Sequence, residues 1–235
     1  MNMYNEVVTW NPFVGCKYDC VYCRQSFQRM VKRVYYCQGK TCLGCRDFLP
    51  HEHPDRLDDR LPKAKILWPC AHGDIAFADS DFVHRIITKV KGHADEYDKI
   101  YWQSKNPSCF KNYLGKFPGN SIILTTLETN RDSGYRKISR APFPSQRISD
   151  FADIKWPAKI ITIEPVYDFD LDEMENILKN VRPLGIWIGY NSKNPKKIGI
   201  DEPVNEKVNA LIAFARKTGI DVRLKTIRAA YRRQS

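Results

Sequence analysis

Eight cysteines stand out in this 235-residue sequence, because six of them fall between positions 16 and 45. Cys16, Cys20 and Cys23 follow Cys-x3-Cys-x2-Cys spacing, directly after the first predicted strand. Zinc sites usually close with a fourth Cys or His, whereas three thiolates can hold three irons of a [4Fe–4S] cubane and leave the fourth iron open. An open iron is a reaction site. The spacing therefore favours a catalytic cluster, and the alternative is a zinc knuckle completed by a distant residue.

A second group, Cys37, Cys42 and Cys45, is followed by His51 and His53. Two glycines inside the group permit the tight turns that let thiolates converge on a metal. Three Cys and one His make an ordinary tetrahedral zinc shell. His51 is the preferred fourth ligand, because His53 belongs to a longer motif described below. A second iron–sulfur cluster and unliganded thiols are the alternatives.

The elements that must position these residues alternate between short β-branched runs and helical patterns, which is typical of repeated βα units. The predicted strands are residues 6–10, 65–70, 99–104, 121–129, 159–166, 185–190 and 221–224. Helical spacing of apolar residues predicts helices near 27–34, 82–90, 171–178 and 204–215. The near-continuous apolar strands favour an α/β fold, a partial (β/α)6–7 barrel with function at the carboxyl ends of its strands. A flat doubly wound sheet is the alternative.

Charge and aromatic content point to a polyanionic partner. Lysine and arginine exceed aspartate and glutamate by 11. Residues 24–46 contain six basic and no acidic residues, with Phe27, Tyr35 and Tyr36 among them. Alternating cations and aromatic rings suit phosphate contacts with base stacking, as in nucleic-acid binding. A solvated, solubilising surface is the alternative.

The expected organisation is a single barrel domain over residues 1–235. Within it, residues 35–60 form a metal-binding Cys-rich insert and residues 222–235 a basic C-terminal tail. No apolar run approaches the ~20 residues that cross a bilayer, and the start lacks a basic region followed by a long apolar core. We therefore expect a soluble cytoplasmic protein without membrane contact, in which clustered thiols stay reduced.

The first motif resembles the signature of the radical S-adenosylmethionine (SAM) superfamily, with Tyr22 at the aromatic position before the third Cys. Further segments are similar to a phage-associated branch of that superfamily, mostly of unassigned function and distantly similar to spore photoproduct lyase. These segments are TWNPFVGC at 9–16, PHEHPDRL at 50–57, SKNP at 104–107, TTLET at 125–129 and TIEP at 162–165. The resemblance covers most of the chain from residue 9 to about 192, and it implies the radical SAM barrel.

The resemblance also implies a chemistry. The open iron of the cluster would chelate the amino and carboxylate groups of SAM. One electron, from a donor such as ferredoxin or flavodoxin, would break the sulfur–C5′ bond. The products would be methionine and a 5′-deoxyadenosyl radical that abstracts hydrogen from the substrate. No residue is assigned to catalysis on the substrate itself.

Residues that receive SAM should stand at strand ends. The Gly-Gly-Glu segment of the superfamily is absent, and Gly73 and Asp74 stand in its place. We expect Asp74 to accept hydrogen bonds from the methionine ammonium, Gly73 to allow close backbone approach, and Glu128 to bind the ribose or the ammonium. The other expected cofactor contacts are Tyr22, Ser104, Lys105, Asn106, Glu164 and Asn191. A strand-end carboxylate can instead cap a helix or pair with Arg.

Three functions are compatible with this sequence. The favoured one is a radical SAM enzyme acting on a nucleic acid or a nucleotide-derived substrate. The second is a radical SAM enzyme that modifies a peptide or small metabolite. The third is a zinc-stapled nucleic-acid-binding protein without catalysis, which predicts a colourless protein that contains zinc alone.

Overall fold

The computed structural model of the protein describes residues 6–24, 26–37, 42–192 and 200–231, without the side chains of 35–37. Its strands are β1 (Val7–Trp10), β2 (Phe13–Val14), β3 (His51–Glu52), β4 (Ile66–Pro69), β5 (Lys99–Gln103), β6 (Ser121–Thr126), β7 (Lys159–Ile163), β8 (Gly185–Ile188) and β9 (Asp221–Leu224). Its helices are α1 (Val21–Arg24), α2 (Phe27–Cys37), α3 (Leu43–Asp47), α4 (Ser80–Lys91), α5 (Pro144–Asp153), α6 (Leu171–Val181) and α7 (Asn205–Lys217). In these ranges every helix is too short or too polar to pass through a bilayer.

Seven strands form one parallel sheet in the order β1-β4-β5-β6-β7-β8-β9. Each of them lies inside its predicted range. The order follows the chain without reversal, and the sheet curls into a half-barrel. A doubly wound sheet would reverse its strand order at a switch point. The partial-barrel prediction is therefore confirmed, and the flat-sheet alternative is wrong.

One face of the sheet is covered by helices. Ile86 of α4, Leu178 of α6 and Leu211 of α7 are fully buried in the same cluster as Ile100 and Ile161 of the strands. Apolar residues at three- and four-residue intervals place one side of each helix on the sheet. Each such side chain contributes about 1.5–3 kcal/mol when it is buried, so this layer holds the barrel together.

The other face lines the barrel interior and becomes more polar toward the carboxyl ends of the strands. Its apolar floor consists of Ile66, Tyr101, Ile122, Leu124, Ile160 and Trp187. Above the floor, the side-chain amide of Gln103 donates to Thr126 (2.8 Å), whose hydroxyl also meets that of Thr162 (2.9 Å). Because side chains alternate between faces, the next inward positions are Lys105, Glu128 and Glu164. The charged layer thus lies at the edge where a barrel places its site.

The Cys-rich insert is tied to the barrel by a small second sheet. β2 pairs antiparallel with β3, so that Phe13 lies opposite Glu52 and Val14 opposite His51. Val14 is also buried in one apolar cluster with Val31, Phe48 and Cys45. The insert therefore packs on the strand that leads into the three-cysteine motif.

Two parts of the structure differ from the prediction. No helix was predicted in the polar stretch 130–146, but its last residues begin α5, and Tyr135–Lys137 forms a 3-10 turn. Pro144 suits the first turn of α5 because proline has no N–H, and an N–H in the first turn would have no partner within the helix. β2 and β3 were not predicted, because two-residue strands leave no alternation to detect.

Candidate radical-cluster site

The three-cysteine loop begins at a glycine that no other residue could replace without strain. Gly15 has φ +97°, and a Cβ there would lie 2.1 Å from the Leu49 carbonyl oxygen. Its N–H donates to the His72 carbonyl (3.0 Å), and its own carbonyl accepts from the Asp74 N–H (3.2 Å). Gly73 is the partner of Gly15 in this bridge, and a Cβ on Gly73 would lie 2.9 Å from the Gly15 oxygen. The close approach expected at Gly73 is thus made to the chain's own cysteine loop.

Cys16, Cys20 and Cys23 lie together in one cluster with the rings of Tyr18 and Tyr167. Residues 138–140 hold the loop from outside, because the Val21 N–H donates to the Ile138 carbonyl (3.0 Å) and the Arg140 N–H donates to the Tyr18 carbonyl (2.7 Å). The Cys20 sulfur lies 3.2 Å from the Ser139 hydroxyl. All three cysteines of the motif therefore border one small apolar cluster.

The environment of the thiols is unsuited to bare thiolates. Burial raises the pKa of the Cys16 thiol strongly, and the neighbouring Asp74, Cys20 and Cys23 raise it further. Burial and the nearby Cys20 raise the pKa of Cys23 to about 12. A thiolate is the form that binds metal, and a bound cation stabilises it. Three cysteines on one loop, one of them buried and two partly buried, therefore fit a cationic iron–sulfur cluster that takes three protein ligands.

Glu128 lies beneath this loop and is completely buried. Its Oε1 accepts from the Tyr22 hydroxyl (2.5 Å) and from the Lys105 ammonium. Its Oε2 accepts from Arg147 Nη1 (2.9 Å) and from the Tyr135 hydroxyl (3.3 Å). Both oxygens are therefore engaged, and Tyr22, the predicted aromatic residue of the motif, is one of the donors.

Arg147 is the buried cation that sequence reasoning missed. It projects from α5, has no exposed side-chain surface, and also donates to the Thr126 and Pro142 carbonyls and to Tyr135. Its only sequence signal is a position in a polar helix, which predicts a solvated side chain. The carboxylate of Glu128 accounts for its burial, because a buried charge needs a paired and hydrogen-bonded partner.

Lys105 is the second cation beside Glu128. Its Nζ lies 4.9 Å from the centre of the Tyr22 ring, and 12% of its side chain is exposed. Burial lowers the pKa of Lys105 to about 8, while the nearby sulfur of Cys20 opposes that shift. Lys105 thus presents a positive charge at the level of the three thiols.

Asp74 lies next to this pair and is buried. Its Oδ1 accepts from the Ser104 hydroxyl (2.6 Å) and the Ala76 N–H (3.1 Å), and its Oδ2 accepts from the Lys105 N–H (2.9 Å). Asp74 therefore also caps the 3-10 helix Ile75–Phe77. Burial raises the pKa of the carboxyl, and these hydrogen bonds oppose the shift. Asn106 completes the turn, because its N–H donates to the Ser104 hydroxyl (2.9 Å).

Glu164 and Asn191 lie farther along the same edge. Glu164 forms an ion pair with Lys225 (3.0 Å), a residue of the predicted basic tail. Asn191 is buried beside Tyr167, and its carbonyl accepts from Arg228 Nη2 (2.9 Å). Arg228 also pairs with the buried Glu202 (2.6 Å). Two cations of the predicted tail are thus directed into the barrel mouth.

A cavity of about 310 Å³ opens beside the loop. Ile138 and Tyr167, which pack with Cys20, form part of its wall. Thr129, Arg131, Lys137 and Asp168 contribute its polar groups. Ser133 and Asp201 also line it, so the wall is largely polar and carries two basic and two acidic side chains.

Three residues of the second predicted metal group, Cys42, Cys45 and His51, lie together with His53. Ligating atoms of Cys42, Cys45, His51 and His53 all lie within 4.8 Å of one another. His53 was predicted to belong to another motif, so its place in this group is a difference from the prediction. The side chain of Cys37, the remaining predicted ligand, lies outside the described residues.

Comparisons with known proteins agree with this architecture. No family model and no curated protein matches the chain. Among solved structures, a spore photoproduct lyase variant is 12% identical and has a TM-score of 0.59, over 92% of this chain and 75% of that chain. A radical SAM methyltransferase from Sphaerobacter thermophilus is 15% identical with a TM-score of 0.60, over 97% and 68%. SuiB from Streptococcus suis, bound to S-adenosylmethionine, is 9% identical with a TM-score of 0.56, over 95% and 50%.

At these identities the likeness shows the fold. The chain has the fold of radical SAM enzymes, and it is distantly similar in structure to spore photoproduct lyase. The recognition made from the cysteine motif is therefore confirmed at the level of the fold.

Proposed function

From this fold, we propose that the chain is a radical SAM enzyme in which Cys16, Cys20 and Cys23 hold a [4Fe–4S] cluster and SAM binds beside it. The observation that carries the proposal is that the three cysteines of one loop border a common apolar cluster in a chain with the radical SAM half-barrel fold. When bound, such a cluster supplies the electron for reductive cleavage of SAM. The protein supplies position, charge and exclusion of water.

The chain's own residues suit those tasks. The rings of Tyr18 and Tyr167 pack in the same cluster as the cysteines, which makes the surroundings of the cluster position apolar. Lys105 brings a positive charge toward three negative ligands. Its partner Glu128 is fully buried whereas Lys105 is partly exposed, so Lys105 is the member of the pair that can reach a ligand. We place the SAM carboxylate at Lys105 and assign Glu128 to hold Lys105 and Tyr22 in position.

Binding of SAM by these residues can be measured directly. A charge-assisted hydrogen bond contributes about 1.5–3 kcal/mol, so Lys105→Met, which removes the proposed contact, should weaken SAM binding by about 10- to 100-fold. Glu128→Gln and Asp74→Asn, which change the groups that hold Lys105, should weaken it in the same direction. Equilibrium dialysis with reconstituted protein gives the affinity, and iron content shows that the cluster remains. Glu96→Gln, a change of an exposed carboxylate far from the edge, is the control. Wild-type affinity in all three variants would reject this SAM site.

A nucleic acid or nucleotide-derived substrate is the favoured class. The net charge is +11, and exposed Arg29 and Arg33 lie on α2, which begins four residues after Cys23. A spore photoproduct lyase structure of the same fold contains AdoMet and dinucleoside spore photoproduct. Lys137, an exposed basic residue, lines the cavity beside the loop. We infer that this edge receives a phosphate-bearing substrate.

The deciding experiment is an anaerobic assay of reduced, reconstituted protein with deuterated DNA, RNA and peptide pools. Deuterium should appear in 5′-deoxyadenosine when a nucleic-acid pool is present. Transfer of deuterium from the peptide pool alone would indicate a peptide substrate, and the proposed radical SAM chemistry would stand. A colourless protein that binds zinc but neither iron nor sulfide would overturn the enzyme and favour a nucleic-acid-binding protein without catalysis.

A further inference from the structure

The Cys/His group of the insert has the spacing of ligands around one ion. The His51 Nε2 lies 3.2 Å from the Cys42 sulfur and 3.3 Å from the Cys45 sulfur, and the His53 Nε2 lies 3.2 Å from the Cys45 sulfur. With zinc–sulfur bonds of about 2.3 Å and zinc–nitrogen bonds of about 2.0–2.1 Å, a tetrahedral site has sulfur–nitrogen edges of about 3.5 Å. The four ligating atoms are therefore close to the positions that one metal ion requires.

The same distances argue against a second iron–sulfur cluster. In a two-iron centre of two Cys and two His, the thiolates bind one iron and the imidazoles bind the other. Bridging sulfides then separate the two ligand pairs. In this protein Cys45 is instead within 3.3 Å of both imidazole nitrogens. Thiolates and imidazoles that share one tetrahedron favour zinc.

An outer hydrogen bond orients the His51 imidazole toward the sulfurs, and a carboxylate lies near the His53 imidazole. The His51 Nδ1 lies 2.6 Å from the Leu49 carbonyl and can only donate to it, which leaves the Nε2 lone pair for a metal. The His53 Nδ1 lies 4.0 Å from the Asp55 carboxylate. A ligating imidazole whose other nitrogen faces a carbonyl or carboxylate is the usual arrangement at zinc.

The Cys/His group of the insert packs against the residues that lead into the three-cysteine loop. His51 is the residue of β3 that pairs with Val14 of β2, two positions before Cys16. Between the ligands, the Leu49 carbonyl contacts Gly15 so closely that only a glycine fits. Cys45 and Val14 are both fully buried in one apolar cluster, and Cys16 packs against it. An ion that fixes His51 and Cys45 therefore also fixes the base of the loop.

We propose that Cys42, Cys45, His51 and His53 bind one zinc ion, and that this ion holds β3 against β2 and so positions the start of the three-cysteine loop. The site has four protein ligands and no open position, so its role is structural. Its zinc binding does not depend on the proposed radical chemistry, whereas its effect on cluster loading rests on the proposed function.

The first test distinguishes zinc binding by the Cys/His group from iron binding by the three-cysteine loop. A triple variant, Cys16→Ser with Cys20→Ser and Cys23→Ser, should retain about one zinc per chain and no iron. In that background His53→Ala should weaken zinc affinity by at least the roughly 100-fold that loss of an outer contact alone can cost. Cys37→Ser should keep wild-type affinity, as should the exposed control His93→Ala. Loss of zinc in Cys37→Ser but not in His53→Ala, or retention of iron and sulfide, would overturn the ligand set.

The second test addresses the position of the loop. In the triple variant, removal of zinc by a chelator should increase hydrogen exchange of the backbone amides of residues 13–15, and added zinc should restore protection. In the otherwise wild-type chain, His53→Ala should also take up less iron on reconstitution, with His93→Ala as the control. Unchanged exchange at 13–15 on zinc removal would overturn the positioning role even if the ion binds.

Discussion

The two cysteine groups adjoin the contact between Gly15 and Leu49, yet their ligand sets differ. The loop of Cys16, Cys20 and Cys23 offers three thiols at the polar edge of the barrel, next to Lys105 and Glu128. The insert offers two thiols and two imidazoles that already surround one point. An incomplete ligand set suits a cofactor that must also bind a substrate, and a complete set suits a structural ion.

The surroundings differ in the same sense. The loop stands over buried charge, in which Glu128 and Arg147 are both fully covered. The ion pairs of the insert are exposed, as Arg46 with Asp47 illustrates. Perturbed charges collect at functional sites because burial makes their interactions strong, whereas solvated pairs contribute little. Buried charge, as well as the number of ligands, therefore distinguishes the proposed cluster loop from the proposed zinc site of the insert.

The largest effect should come from removal of one cysteine from the loop. Cys20→Ala removes one of three cluster ligands, so we expect loss of nearly all bound iron and of SAM cleavage, while the zinc of the insert remains at about one per chain. Iron, zinc and 5′-deoxyadenosine measurements on the same preparation check this. Cys109→Ala, a cysteine of neither group, is the matched control. Unchanged cleavage by the Cys20 variant would show that the loop does not hold the cluster.

The next effect concerns the buried charge beneath the loop. Arg147→Met leaves the Glu128 carboxylate buried with one cation fewer, which should lower the free energy of unfolding by about 3–5 kcal/mol. Arg46→Met removes an exposed cation of the insert and should leave stability unchanged. Urea denaturation of the two variants measures the difference. Equal stabilities would contradict the contrast between the two regions.

The sequence predicted the strands and the cysteine loop of this site better than its side-chain contacts. Runs such as those of β6 and β7 are nearly continuous in β-branched and apolar residues, as expected for buried parallel strands. The spacing of Cys16, Cys20 and Cys23 likewise indicated the loop, because local spacing determines which irons can be reached. These features depend on neighbours along the chain, which a sequence displays directly.

The features that were missed depend on contacts between distant residues. Arg147 meets Glu128 across 19 positions, and nothing in the polar sequence of α5 marks it as buried. His53 joins Cys45 only because β3 and the following turn place both imidazoles on one side. Hydrophobic periodicity predicts which face of an element is apolar, but it does not predict which polar side chains pair with one another.

A smaller effect should follow from the surface next to the loop. Arg29→Glu with Arg33→Glu reverses two exposed charges on α2, so nucleic-acid binding should weaken and its salt slope should fall by about 1.4–1.8. Fluorescence anisotropy with single- and double-stranded oligonucleotides at several salt concentrations gives the slope. Arg85→Glu with Lys91→Glu makes the same charge change on α4 and is the control. Identical slopes in both variants would remove α2 from the interface.

The smallest effect should come from the residue between the two groups. His72 accepts from the Gly15 N–H through its carbonyl, and its ring contacts Phe27, which in turn contacts Phe48 of the insert. Burial, with a contribution from Arg56, lowers the pKa of the His72 imidazole from 6.5 to about 4. Because the unfolded chain binds this proton more readily, stability is full above pH 6.5 and falls as pH decreases toward 4.

Between pH 7 and pH 5 the wild-type chain should therefore lose about 1–2 kcal/mol more stability than His72→Gln, which has no imidazole to protonate. Urea denaturation at the two pH values gives the difference, and subtraction of the variant removes the titration of all other groups. His93→Gln, a change of an exposed histidine, should keep the wild-type pH dependence. If His72→Gln showed that dependence too, the imidazole would be solvated, and the contact between the loop and the insert would be looser than the ring distances indicate.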